Sequence, residues 1–159
     1  MLCRRLMLED LRVNGECFDS DFFAYREDAD LAWRAQLRGW KVLYQPAAEG
    51  THSRRVIPSV RRKLDPIINF HSLKNRYLMR TKNMDSAVRR KCFPYMWLRD
   101  IGILGYVLCC ERSSFGAYRE LRRLRPKMRL KREIIQKRRK VHPASIASWF
   151  EFKPVAHDY

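Results

Sequence analysis

Charge is divided unevenly along this chain, and that division limits what it can become. Residues 1–52 hold 7 basic and 9 acidic side chains, whereas residues 53–159 hold 27 basic and 8 acidic ones. A mildly acidic first third is thus joined to a strongly basic remainder, giving +17 overall. A basic surface of that density suits nucleic acid, anionic lipid or phosphate-rich ligands. A length of 159 residues fits one domain, and 46% apolar residues exclude a wholly disordered polymer.

The basic portion, residues 53–159, reads as a helical extension. Ile67, Phe70, Leu73 and Tyr77 recur at helical spacing, which predicts a helix over Pro66–Asn83. Trp97, Ile101, Leu104 and Leu108 do the same over Pro94–Glu111. Two further amphipathic helices, Ser113–Arg125 and Pro126–Lys140, are expected to follow, separated at the proline. The longest apolar run, Ile101–Cys110, is too short to span a bilayer, which takes about 20 residues. The five cysteines are odd in number and contain no Cys-x-x-Cys pair, so reduced, mostly buried thiols in a cytosolic protein are expected.

The first third, residues 1–52, holds the chemistry-bearing residues. Arg4–Leu11 predicts a short helix and Asn14-Gly15 a turn. Asp28–Arg38 predicts a longer helix, with acids at its start and Gly39 as its stop. Trp40–Tyr44 alternates apolar and polar side chains and predicts a strand ended by Pro46; residues 47–52 are a second short strand or an extended loop. Acids at a helix start commonly cap its free N–H groups, and that reading stands for Glu27, Asp28 and Asp30 taken alone.

The wider pattern adds to it. Phe22-Phe23-Ala24-Tyr25-Arg26-Glu27-Asp28-Ala29-Asp30-Leu31 is followed by Arg34, Gly39-Trp40, Pro46 and His52. This resembles the distal motif of family 2 glycosyltransferases, rhamnosyltransferase-like members of cell-envelope polysaccharide biosynthesis in particular. The likeness is specific over residues 18–52 and continues loosely through His71–Leu78. It implies the C-terminal part of a GT-A fold, an α/β sandwich, followed by the basic helices. It implies an inverting transfer from a nucleotide-sugar donor to a glycan or lipid-linked acceptor, with Asp28 as catalytic base. A carboxylate about 3 Å from the acceptor hydroxyl can take its proton as the oxygen attacks. Glu27 and Asp30 are assigned to capping and positioning, Arg34 to bracing the acidic loop or to phosphate, and Trp40 to a core anchor. His52 is either a ligand to a divalent metal, Mn2+ or Mg2+, or a hydrogen-bonded surface histidine. Arg38 is expected in solvent.

The family's nucleotide-binding half, with its Asp-x-Asp metal motif, has no counterpart here. Asp19-Ser20-Asp21 has that spelling but lies too close to Asp28 and reads as a coincidence. Arg4–Glu9 matches a segment from the middle of the family domain, so the chain is expected to be a fragment and inactive alone. Three readings of the basic helices compete. They dock on the inner face of the cytoplasmic membrane, with Tyr95, Trp97, Tyr106 and Tyr118 at the interface. They are solvated faces over an ordinary core. Or they form a nucleic-acid-binding module, for which no recognised motif is present.

Overall fold

A computed structural model describes residues 2–51 and 65–150. Its helices are α1 (Arg5–Asp10), α2 (Glu27–Leu37), α3 (Pro66–Asn83), α4 (Ser86–Cys110), α5 (Gly116–Lys137) and α6 (Pro143–Ala147). Short 3-10 turns lie at Ser20–Phe22, Arg112–Phe115 and Ser148–Phe150.

The helix starts follow from local chemistry. Asp65 accepts a hydrogen bond from the Ile67 N–H at 2.9 Å and Pro66 opens α3, where a missing N–H costs nothing. Asp85 accepts from the Val88 N–H at 2.9 Å and caps α4. Gly39, at φ +83°, supplies the left-handed turn that ends α2.

α3 and α5 form the most extensive packing pair. Leu78, Leu124 and Met128 close around Phe22, while Leu73 meets Val107 and Ala117. Each of the larger ones, Ala117 apart, contributes about 1.5–3 kcal/mol by leaving water. Residues from both sides of the charge boundary share a core, in which Val13 and Leu37 pack with Met84, Val88, Ile135 and Ile146.

The structure corrects the expected architecture. Among the described residues there is no strand, only an isolated bridge between Val13 and Glu16, so the fold is all-helical and not an α/β sandwich. Residues 40–44 read as a strand, but among the described residues no second strand lies beside them to complete a ladder. Val42, Leu43 and Tyr44 stand in solvent instead. Two helix boundaries also differ. α4 begins before Pro94, and α5 runs unbroken through Pro126. An interior proline costs about 3 kcal/mol. Leu124, Met128, Lys131 and Ile135 keep one buried register across it, and that packing outweighs the cost. Among the described residues no helix is long and apolar enough to cross a membrane. Cys109 and Cys110 are exposed, against the expectation of mostly buried thiols.

Candidate functional site

The acids of α2 divide by direction. Asp30 is fully buried and points into the junction of α2, α3 and α5. It accepts hydrogen bonds from Arg34 Nε at 2.9 Å, Lys82 Nζ at 2.8 Å and Asn83 Nδ2 at 2.7 Å. Arg34, also buried, extends the brace by donating to the carbonyls of Leu11 and Cys17. Lys82 bridges to Asp19 at 2.6 Å, and Lys131 of α5 holds Asp19 at 2.6 Å and Asp21 at 2.7 Å. A buried charge without a partner costs several kcal/mol, so burial of both signs together is what makes the junction tolerable. Burial pushes the Asp19 carboxyl up, but Lys82 and Lys131 outweigh it and hold the group below the usual carboxylate range. Burial likewise works against the charged Lys131, and its bonds to Asp19 and Asp21 raise it overall.

These contacts give Asp19-Ser20-Asp21 a role. Asp19 caps the 3-10 turn by accepting from the Asp21 N–H, and lysines occupy both carboxylates, with Lys127 reaching Asp21 at 2.8 Å. Ammonium groups fill the positions a metal ion would need. Among the described residues no cluster of His, Cys, Asp and Glu is able to hold a metal. His52 lies outside the described residues. Among the described residues, Asp19 and Asp21 therefore leave no room for a divalent ion between them.

A second brace ties α1 to α2. Arg38, expected in solvent, forms a two-pronged pair with Asp10 at 2.6 and 3.0 Å and donates to the Arg138 carbonyl. Trp40 Nε1 donates to the same Asp10 at 2.9 Å while its ring packs beside Leu11, Leu31 and Ala35. The Arg38 bond, with help from Trp40 and against partial burial, lowers the Asp10 carboxyl to about 2. Asp10 was not singled out in the sequence; its partners lie a helix away.

Asp28 faces the other way. It is exposed in the first turn of α2, and its Oδ1 accepts from the next N–H, that of Ala29, at 2.7 Å. It forms no ion pair among the described residues. The segment that delivers it is strained. Phe23, Tyr25 and Arg26 have φ of +64°, +69° and +69°, in a region where side chains other than glycine cost about 1–3 kcal/mol each. One side chain pins this loop. Asn75 Nδ2, from α3, donates to the carbonyls of Phe22, Ala24 and Tyr25 at 2.9, 2.6 and 2.8 Å. Lys74 adds a bond to the Asp21 carbonyl at 2.6 Å.

Several unmet polar atoms lie at the same place. Arg26 Nε, Glu27 Oε2, His71 Nδ1 and Asn75 Oδ1 are buried without a hydrogen-bond partner among the described residues. The His71 ring lies 4.9 Å from that of the exposed Phe23, and burial, aided by Lys74, lowers its proton affinity. Orphaned buried groups are rare and call for a physical cause. Together they describe a strained, polar-lined loop ending in an outward carboxylate. Asp28 and Glu27 belong to it. Asp30, Arg34 and Trp40 belong to the braces beneath it. In the sequence His71 and Asn75 belong only to a loose continuation of the pattern; their spacing of four on one helix is the signal that pairs them. No known protein family, curated protein or solved structure matches this chain.

Proposed function

We propose that this chain is the acceptor-side part of an inverting glycosyltransferase in which Asp28 is the general base. The observation that supports it is the loop Phe23–Arg26: strain at three residues, held by Asn75, is spent on presenting to solvent a carboxylate that forms no ion pair among the described residues. In the reaction the acceptor O–H gives its proton to Asp28 as its oxygen bonds to the anomeric carbon, and the nucleoside diphosphate leaves with the electron pair of the broken C–O bond. A positioned base contributes about 10²–10⁴-fold to such a step. Glu27 lines the acceptor side, while Asp30, Arg34 and Trp40 fix the angle of α2. The leaving diphosphate needs neutralising charge, and this reading leaves that to a donor-binding partner segment.

The test measures transfer from a panel of UDP-, GDP- and dTDP-sugars by the protein as its gene expresses it. Asp28→Asn is expected to lower turnover by at least about 10²-fold while leaving donor affinity unchanged; Glu27→Gln is expected to act mainly on acceptor KM. Full turnover by Asp28→Asn would place the base elsewhere. Calorimetry on the 159-residue chain alone is expected to give no micromolar binding of any of these donors.

A further inference from the structure

α4 presents an anomaly that the sugar-transfer reading does not use. From Cys92 to Cys110 it carries only two charged side chains, Arg99 and Asp100, and Asp100 is paired with Arg80 at 2.9 Å. Phe93, Trp97, Ile101, Leu104 and Leu108 recur every three or four residues and form one stripe, with Leu98 beside it. All six are exposed, Leu98 to 69% and Trp97 to 59%. A helix that meets water is ordinarily polar on that side, and an apolar strip about 24 Å long at 1.5 Å per residue is an interaction surface.

The charges around the stripe select its occupant. Exposed Arg89 and Arg90 stand at the start of α4 and Arg112 just beyond its end. Exposed Arg122 and Arg125 of α5 border an open groove of about 750 Å³, whose apolar wall includes Trp97, Ile101 and Leu104 of the same stripe. A second copy of the chain would bring these like charges together, at +17 per molecule. A nucleic acid would satisfy the arginines and leave the stripe in water. An anionic bilayer rewards both, with acyl chains under the apolar face and phosphate headgroups at the arginines. The geometry points to α4 as an interfacial helix that lies flat on an anionic membrane, with the groove between α3, α4 and α5 facing the headgroups. This inference is independent of the catalytic role of Asp28.

Co-sedimentation tests it, with vesicles of phosphatidylcholine alone and of phosphatidylcholine mixed with phosphatidylglycerol. The protein is expected to pellet with the mixed vesicles and to stay in solution with the neutral ones. Added salt is expected to weaken that binding without abolishing it, since the apolar part is unscreened. A Trp97→Ser, Ile101→Ser protein, altered only at exposed positions, is expected to keep its helical circular dichroism and lose binding at least about tenfold. Charge reversal by Arg122→Glu, Arg125→Glu is expected to have a similar effect. No binding to the mixed vesicles would overturn the inference. So would binding that the serine substitutions leave unchanged, or self-association of the free protein that those substitutions abolish.

Discussion

The junction beneath α2 and the outer face of α4 are arranged in opposite ways. Under α2, carboxylates and ammonium groups are buried where apolar side chains would ordinarily sit: Asp19, Asp30, Arg34, Lys82 and Lys131 are all nearly inaccessible. On α4, Trp97 and Ile101 stand in water where charges would ordinarily sit. The comparison teaches where each region finds its partner. The buried charges are satisfied within the fold, in bonds of 2.6–2.9 Å, so the junction is a closed structural unit. The apolar stripe is left exposed among the described residues, as the inferred membrane contact requires. Asp28 resembles the stripe in this respect, since it too faces outward and forms no ion pair among the described residues.

Breaking the closed unit should have the largest effect. Lys82→Met leaves Asp19 and Asp30 short of a cation, and denaturation in urea is expected to show a loss of about 3–5 kcal/mol. A loss near zero would mean that Lys131 and Arg34 suffice and that the junction is redundant. Next comes the pin of the strained loop. Asn75→Ala removes a donor from the carbonyls of Ala24 and Tyr25 and leaves that of Phe22 with its bond from the Ala24 N–H; about 2 kcal/mol of stability is expected to go, with faster proteolysis between residues 22 and 27.

Acid tests the brace between α1 and α2. The Asp10 carboxyl is lowered to about 2 by Arg38, against about 3.9 in an unfolded chain. A depressed folded value means that its contribution is complete above about pH 4 and is lost as the pH falls toward 2. About 2 kcal/mol is expected to disappear over that window. Asp10→Asn should remove this part of the pH dependence while leaving the remainder, to which the lowered Asp19 contributes with the same sign.

Much of this helical scaffold is legible in the sequence, and its limits have physical causes. Pro66–Asn83 is predicted to the residue, because Asp65-Pro66 marks its start and its apolar spacing is regular. Gly39 marks the end of α2 for a similar reason. The strand at 40–44 fails because alternation describes one segment, whereas a strand requires a neighbour. The break at Pro126 fails because the cost of a proline is local and the packing of α5 on α3 is not. Within the site, Asp30 and Arg34 are four apart on one helix and their pairing is readable. Lys82 and Lys131 are not, since nothing in a lysine's surroundings along the chain marks it as buried. The strain at Phe23, Tyr25 and Arg26 is hidden for a comparable reason: none is a glycine or asparagine, so no residue type advertises the left-handed backbone.

The division of labour between two acids two residues apart is the central claim, and one paired measurement addresses it. Asp28→Asn and Asp30→Asn are prepared in the protein as its gene expresses it, the form assayed for transfer, and urea stability and sugar transfer are measured on both. The expected result is a separation. Asp30→Asn loses about 3 kcal/mol or more, because Lys82 and Arg34 lose their shared carboxylate. Asp28→Asn stays within about 0.5 kcal/mol of the parent, as an exposed side chain should, yet loses transfer. Equal losses of stability, or undiminished transfer by Asp28→Asn, would contradict the account.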